Sequence, residues 1–559
     1  MNFSLPLVLA AGEGTLPALD LVVIVAYLVI ITVIGLWSVR KTEMTRESYF
    51  LAGRSLKWPV VGAALFASNI STIHLVGLAE GGYQHGLLVG NFEWMAAFTL
   101  IGLSLIFAPF YFQSRISTLP EYLERRYHPY TRSIVAVMGI MAAMLIHIGI
   151  SLYAGAKVFE GFFGIDVMTS IVVISVITAI YTVIGGLKAV VVTETVQTVI
   201  LLVGAVIVTV LAAMQAGDAG INSWEALVEA TKPGQTEMLH SDHLTGMTWY
   251  GFLLGFPVLG LWYWCSDQTI VQRLLGAEKQ RDAQLGALFA GFLKILPVFL
   301  MVLPGVLAYA LFRDEIGESA QQTLTVLITK LVPTGLRGLI AAALLAALMS
   351  TVASALNSTS TLVAVDIIKQ LRPKTSDSAQ VLIGRVSAVI VMLLAIVWST
   401  QGDKFGSIFE AINKMPAQFL APPIAAVFFW GIFWRRGTQQ AALATLLIGF
   451  GLGLVVFAVD LPLITICKDP ETGDPLQLVS EVWGIKFLMQ AWWGFCLCSL
   501  LFIVVSLMTP PPRKEQIDGL TWPSPWAVLT QGAFAGLTDP RLIGAVLFAC
   551  LVALYACFG

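Results

Sequence analysis

The sequence predicts an all-α integral membrane protein with about fourteen transmembrane helices, and three observations support that fold class. Of its 559 residues, 57% are hydrophobic and only 12% are charged, whereas a soluble domain carries about 25% charged residues. The mean hydropathy is +0.83. Apolar stretches long enough to cross a bilayer recur along the whole chain, and lysine and arginine collect in alternate connections between them.

Fourteen apolar stretches, some of them interrupted, approach the roughly 20 residues that a spanning helix needs. They cover approximately 18–39, 58–80, 87–113, 132–156, 167–185, 191–214, 247–272, 284–312, 338–368, 381–400, 407–434, 439–461, 483–508 and 541–558. The two longest polar connections, about 215–246 and 509–539, are short enough to be loops. We therefore expect no separate soluble domain.

The positive charges indicate how the chain is oriented in the cell membrane. If the N-terminus lies outside, the inner connections hold 22 Lys and Arg residues and the outer connections hold seven. The inner loops of membrane proteins carry such an excess. Because the number of spans is even, both termini are expected on the periplasmic or extracellular side.

Two stretches are interrupted near their centres by residues that favour non-helical backbone. The second contains the polar run SNIST at 68–72, and the seventh contains Gly255, Pro257 and Gly260 close together. Backbone groups released from a helix cannot face lipid, so such a segment lines a cavity or binds an ion. A pair of interrupted spans in corresponding positions of two halves points to a substrate site. The five-span offset predicts two inverted five-helix repeats, each beginning with a broken helix.

The expected domain organisation follows from that repeat. Residues 1–57 form an extra first span with its inner loop, and 58–214 form the first five-helix repeat. An outer loop covers 215–246, the second repeat covers 247–437, and the remaining C-terminal spans cover 438–559.

Polar side chains inside the apolar stretches are costly and are therefore candidates for function. Those that stand out are His74, Glu93, Glu194, Lys294, Ser350 and Thr351. Each has a structural alternative: Glu93 and Lys294 could form a pair that only holds helices together, and Ser or Thr hydroxyls often join membrane helices.

Several function classes are disfavoured. The net charge of −2 gives no basic field for a nucleic-acid partner, and no obligate protein partner is evident. The chain has no G-x-x-x-x-G-K-[ST] phosphate loop, so an enzyme or ATP-driven pump is not expected. A membrane channel or sensor is the alternative from a different functional class.

Motifs that occur in order along the chain resemble the sodium/solute symporter family, and within it the sodium/glucose cotransporters, over roughly residues 18–510. The motifs are FASNI…HLVGLA (66–79), GNFEW (90–94), YTVIGGLKA (181–189), WYWCSDQTIVQR (262–273), NSTSTLVAVDI (357–367) and APPIAAVF (421–428). The resemblance implies a sodium-coupled symporter that imports a sugar by alternating access. A neutral hexose is the first choice, and a polyol such as inositol or a sugar acid is the alternative.

The resemblance also implies which side chains hold the sugar. They are Asn69, His74, Glu93, Tyr263, Trp264, Lys294 and Asn413. Donors, acceptors and an apolar face for the ring are what a sugar site needs. The assignment of Asn413 depends on one of two alignments; the other puts Lys414 there, which would favour an acidic sugar.

The sodium ligands come from the same resemblance. They are the backbone carbonyls of Ala67, Ile70 and Ala347 and the hydroxyls of Ser350 and Thr351. Neutral oxygen ligands suit Na⁺ and do not suit a transition metal. The positions of a second ion site in the family hold Glu194 and Ala353 here, in place of an Asp and a hydroxyl residue, so one ion is expected.

Overall fold

The computed structural model describes residues 17–241, 246–401, 414–461, 467–468, 475–524, 527–530 and 534–559. Within these ranges the chain is almost entirely helical. The strands that the described ranges contain are Cys467–Lys468 and Pro475–Leu476, which form one short antiparallel pair.

The described ranges contain fourteen helical crossings in succession, numbered here as spans 1 to 14. Span 1 is Ala18–Val39, and span 2 is Trp58–Asn69 with Thr72–His85. Span 3 comprises Asn91–Gly102, Leu103–Phe107 and Ala108–Gln113, and span 4 comprises Pro129–Ala142, Ala143–Ile150 and Ser151–Phe163. Spans 5 and 6 share Val167–Asp218, and span 7 comprises Trp249–Gly260, Leu261–Ser266 and Gln268–Leu275. Span 8 comprises Gln280–Leu293, Val298–Val302 and Leu303–Ile316, and span 9 comprises Leu336–Thr361 and Leu362–Ile368. Span 10 is Asp377–Ser399, and span 11 is Pro416–Leu420 with Ala421–Phe433. Spans 12 to 14 are Gln439–Val459, Phe487–Met508 and Pro540–Phe558.

Shorter helices lie in the connections. They are Arg46–Leu51, Ala52–Arg54, Gly86–Gly90, Leu119–Arg126, Trp224–Ala230, Ala320–Gln322, Thr323–Leu331, Lys369–Leu371, Leu478–Val482, Lys514–Gln516, Ala527–Thr530 and Gly536–Thr538.

The predicted number of spans is confirmed once the longest helices are divided. Eleven helices of the described chain are long and apolar enough to cross a membrane, but two of them have 52 and 39 residues. At about 1.5 Å per residue the longer one would measure about 78 Å, more than twice the bilayer core. Both divide at a glycine with positive φ, Gly186 and Gly86 respectively. Span 7 supplies the remaining crossing as a series of shorter helices.

Gly186 lies in the YTVIGGLKA motif and ends span 5. Its backbone has φ 60° and ψ −155°, and a Cβ there would lie 2.4 Å from the Tyr49 carbonyl oxygen. The Val183 carbonyl accepts from Tyr49 Oη at 3.0 Å and from Arg385 Nε at 3.1 Å. These donors cap the end of span 5 and allow the chain to turn back as span 6.

Spans 2–6 and 7–11 form the two inverted repeats, and each begins with a broken helix. Span 2 leaves helical geometry at Ile70 (φ −75°, ψ 106°) and resumes at Thr72. Span 7 leaves it at Asp267 (φ −83°, ψ 124°) and resumes at Gln268. The two spans meet at the breaks, because Asn69 Nδ2 donates to Tyr263 Oη at 3.2 Å.

The sequence placed the interruption of span 7 wrongly, at Gly255, Pro257 and Gly260. The helix continues through Pro257, and the two glycines are sites of close helix packing. A Cβ on Gly255 would lie 2.0 Å from the Leu488 carbonyl oxygen, and one on Gly260 would lie 2.4 Å from Thr99 Cγ2. Small residues let membrane helices approach in this way.

The remaining spans surround the repeats. Span 1 packs against spans 5, 6 and 9, spans 12 and 13 pack against span 11, and span 14 packs along spans 3 and 8. Tyr555 Oη of span 14 donates to Asn91 Oδ1 at 2.8 Å. The residue limits of the five predicted domains, and the outer position of both termini, stay predictions.

Candidate functional site

A cavity lies between the two broken spans and their neighbours. Six of the seven predicted sugar-binding side chains line it, contributed by spans 2, 3, 7 and 8. They are Asn69, His74, Glu93, Tyr263, Trp264 and Lys294. The seventh, Asn413, lies outside the described residues.

The break in span 2 brings amide and imidazole groups to the cavity wall. Asn69 is the last residue of the first half-helix, and its Nδ2 donates to Tyr263 Oη at 3.2 Å. Its Oδ1 is buried and has no partner among the described residues. Asn69 therefore offers an acceptor to a ligand in the cavity.

The His74 ring is held by Ser71, which lies at the break in span 2. The Ser71 amide donates to His74 Nδ1 at 3.2 Å, and Ser71 Oγ lies 3.1 Å from the same nitrogen. A nitrogen that accepts from a backbone N–H carries no proton, so the proton of the neutral ring is on Nε2. His74 thus presents a donor at its other nitrogen.

Glu93 and Lys294 form a buried ion pair across the cavity wall. Lys294 Nζ lies 2.5 Å from Glu93 Oε2, and the two side chains are 1% and 2% exposed. Lys294 Nζ also lies 5.5 Å from the Trp264 ring centroid, within cation–π range. The pair provides a carboxylate acceptor and an ammonium donor on one wall, and it leaves that wall without net charge.

Aromatic rings adjoin the ion pair along the cavity wall, and part of this aromatic wall was missed by the sequence interpretation. The Tyr263 and Trp264 rings pack edge to face at 5.2 Å. His147 of span 4 also lines the cavity, stacks on Trp262 at 6.4 Å and bonds Asp267 Oδ2 through Nε2 at 2.8 Å. A histidine and an aspartate inside apolar stretches were signals that could have identified this pair.

The predicted sodium ligands come together between spans 2 and 9. Ser350 Oγ lies 2.8 Å from the Ala67 carbonyl oxygen and 2.9 Å from that of Ala347, and Thr351 Oγ1 lies 3.2 Å from the latter. Ile70 is at the helix break beside them. The set is neutral, buried and made of oxygen atoms, which fits a hard monovalent cation. Thr351 also lines the sugar cavity, so the two candidate sites adjoin.

Glu194, which the resemblance places at the position of a second ion site, lies in a network of protein groups. Glu194 Oε1 lies 2.6 Å from Arg273 Nη2, and both side chains are fully buried. The carboxylate also accepts from Ser68 Oγ at 3.2 Å and from Ser354 Oγ. The guanidinium supplies the positive charge that this carboxylate would otherwise need from an ion.

Lys414, the alternative to Asn413, bonds a residue of the connection between spans 12 and 13. Its Nζ donates to Gln477 Oε1 at 2.7 Å, and the cavity wall near it is formed by Pro416.

Comparisons with known proteins agree with this architecture. The model of the Sodium:solute symporter family matches residues 49–449. Sodium/myo-inositol cotransporter 2 of Oryctolagus cuniculus is 35% identical over 539 residues, which are 90% of this chain and 78% of that protein. Sodium/glucose cotransporter 4 of Danio rerio is 34% identical over 560 residues, covering 95% and 84%. A sodium/mannose cotransporter of Bos taurus is 35% identical over 544 residues, covering 91% and 89%.

A solved structure shares the fold. It is the substrate-bound, outward-open state of a Na⁺-coupled sialic acid symporter, with a TM-score of 0.73 and 20% identity. The alignment covers 89% of this chain and 99% of that one. From the family match and the relatives together, the chain belongs to the sodium:solute symporter family.

Proposed function

We propose that this protein is a sodium-coupled symporter that imports a neutral sugar across the cell membrane. The observation that carries the proposal is the position of the six candidate sugar-binding side chains in one cavity, next to the candidate sodium ligands. Thr351, a candidate sodium ligand, also lines this cavity. An ion at this place would order the wall of the sugar cavity, and that is the physical requirement for coupled transport.

The chemistry of the cavity supports a polyhydroxylated, uncharged substrate. Asn69 and His74 offer an acceptor and a donor, and the Glu93–Lys294 pair offers one of each. The aromatic face of Tyr263 suits a sugar ring. A sugar acid is disfavoured, because the ammonium of Lys294 is already neutralised and that of Lys414 is bonded to Gln477.

A polyol such as inositol is the second candidate. Like a hexose, inositol carries several hydroxyl groups on a six-membered ring, and the Oryctolagus cuniculus relative is a sodium/myo-inositol cotransporter. The excess of Lys and Arg in alternate connections supports an orientation with both termini outside.

The test is uptake by the purified full-length protein in sealed proteoliposomes. Labelled glucose, galactose, mannose, myo-inositol and glucuronate are offered under an inward sodium gradient, and again with potassium in place of sodium. We expect at least one neutral hexose to accumulate in sodium only, without ATP. Accumulation of inositol alone would select the second candidate, and equal uptake in potassium would contradict sodium coupling.

A further inference from the structure

We propose that His74 is a positioning residue for the sodium ion in addition to a contact for the sugar. This inference rests on the proposed function, since it assigns a second task to one residue of the same site. It concerns the short stretch of backbone between the two halves of span 2.

The first step is the hydrogen bond that His74 takes from the helix. In an uninterrupted helix the Ser71 amide would donate to the carbonyl four residues earlier, which is that of Ala67. Here the Ser71 amide donates to His74 Nδ1 at 3.2 Å. The Ala67 carbonyl instead accepts from Ser350 Oγ at 2.8 Å. The imidazole therefore releases one of the candidate sodium carbonyls from the helix.

The second step concerns the neighbouring carbonyl. The Ile70 carbonyl and the Ser71 amide belong to one planar trans peptide, so the two groups point in opposite directions. Holding the Ser71 N–H against the imidazole directs the Ile70 carbonyl away from His74. The His74 amide itself donates to the Ser71 carbonyl at 2.9 Å, so the second half-helix begins after Ile70. One side chain thus sets both the release of the Ala67 carbonyl and the direction of the Ile70 carbonyl.

The third step is the link to the sugar. His74 lines the cavity, and its proton lies on Nε2 because Nδ1 accepts. A sugar oxygen that accepts from Nε2–H makes Nδ1 a stronger acceptor, since linked hydrogen bonds polarise one another. Sugar binding then strengthens the hold on the Ser71 amide, and sodium binding favours the same backbone. Such coupling acts equally in both directions.

The geometry also identifies the substitution that should preserve this role. Ser71 and His74 occupy the first and fourth positions of a capping box, in which the later side chain accepts from the backbone N–H of the earlier residue. Glutamine performs that task in capping boxes. His74→Gln should therefore keep the Ser71 amide in place, whereas His74→Ala should release it to the helix.

The experiment measures the binding of radioactive sodium to the purified full-length protein without sugar. We expect His74→Ala to weaken sodium binding at least tenfold and His74→Gln to remain within about threefold of the wild type. Glu93→Gln is the matched control, because it alters the sugar cavity without touching Ser71; it should lose sugar affinity and keep the sodium affinity of the wild type. If His74→Ala is not monodisperse, His74→Leu replaces it, since it fills the ring volume without an acceptor.

The outcomes separate this inference from the proposed function. Sodium affinity unchanged in both His74→Ala and His74→Leu would overturn the positioning role, even if sugar binding is lost. Equal weakening in His74→Gln would also overturn it, because the acceptor would then be irrelevant. If the wild-type protein binds no sodium, the proposed function itself fails.

Discussion

The two broken spans meet at the cavity, but the backbone groups at their breaks are satisfied in different ways. At the break in span 2, the Ala67 carbonyl accepts from the hydroxyl of Ser350, and the Ser71 amide donates to the neutral ring of His74. The side chains that bond these two backbone groups, Ser350 and His74, are uncharged.

At the break in span 7, the protein uses its own charged groups. The Asp267 carboxylate accepts from the Thr269 amide at 2.7 Å and bonds His147 Nε2 at 2.8 Å. The Arg273 guanidinium donates to the Thr269 carbonyl and to Glu194. A fixed cation therefore bonds the backbone of span 7, whereas the Ala67 carbonyl and the Ser71 amide of span 2 are bonded by uncharged side chains.

This difference indicates which break is a binding site and which is a structural joint. Neutral carbonyl and hydroxyl oxygens gain from a cation between them, while groups already neutralised by a guanidinium do not. We therefore expect ion-dependent behaviour from substitutions at span 2 and its neighbour span 9. Substitutions at the charged network of span 7 should act on folding.

The largest expected effect is on the folding of the span 7 network. Arg273→Met leaves the Glu194 carboxylate buried and without its cation, so the free energy of unfolding should fall by about 3–5 kcal/mol. Adding Glu194→Gln removes the stranded charge and keeps an acceptor for Ser68 and Ser354, so most of the loss should be recovered. Thermal denaturation of the purified protein measures both.

The exposed pair of Lys157 and Glu160, 3.1 Å apart, gives the control. Lys157→Met should cost about 1 kcal/mol or less, because surface pairs contribute little. If Arg273→Met is as stable as the wild type but its uptake depends differently on sodium, the break in span 7 would be the ion site and the break in span 2 the structural joint.

Removing the hydroxyls beside the span 2 break should abolish sodium-stimulated uptake. Ser350→Ala with Thr351→Val deletes both candidate side-chain ligands while keeping the shape of the site. Thr359→Val is the control on the same span, because its buried hydroxyl bonds the Ala355 carbonyl of its own helix at 2.8 Å. Uptake that keeps its sodium dependence in the double variant would show that the ion binds elsewhere.

The comparison also predicts one sodium ion per sugar. Arg273 already pairs with the Glu194 carboxylate, and Ala353 has no hydroxyl that could bind a second ion. One ion that crosses 100 mV and a tenfold gradient supplies roughly 3.7 kcal/mol, enough for about 500-fold accumulation. Sodium activation of uptake should therefore show a Hill coefficient near 1, with one charge moved per solute. Two charges per solute would place a second ion beside span 7.

The Glu93–Lys294 pair tests whether a buried pair at the cavity behaves like the network of span 7. Both side chains line the cavity, so a partner left alone can be hydrated there. Glu93→Ala and Lys294→Ala should each abolish uptake at near-normal expression, and the double variant should stay inactive. Deoxy-sugars should compete poorly, because they leave polar groups without partners. Transport regained in the double variant would leave only a structural salt bridge.

The sequence located the first break and missed the second for one physical reason. In span 2 the polar run at 68–72 marks the position where the helix stops. In span 7 the glycines that looked like interruptions serve packing, because Leu488 and Thr99 approach them closely. The better signal was Asp267, an aspartate inside an apolar stretch and a residue type that favours helix N-caps.

The candidate site was predictable to the extent that family motifs carry it. Six sugar positions followed from the resemblance and lie in one cavity. The partners of Glu194 and Asp267 did not follow, because Arg273 and His147 are 79 and 120 residues away in sequence. Such pairs depend on helix packing, which hydropathy does not specify.

The smallest expected effect concerns the hydrogen bond between spans 2 and 7 from Asn69 Nδ2 to Tyr263 Oη, which is 3.2 Å long. Tyr263→Phe keeps the aromatic face and removes only the hydroxyl, so sugar affinity should weaken by about 0.5–1.5 kcal/mol, a factor of roughly 2 to 13. Sodium affinity without sugar should stay within about twofold, because the candidate sodium oxygens lie toward span 9. Binding titrations of each ligand, performed separately, measure both values. A large loss of sodium affinity in Tyr263→Phe would mean that sodium binding depends on the contact between spans 2 and 7. The sodium site would then not be formed by spans 2 and 9 alone.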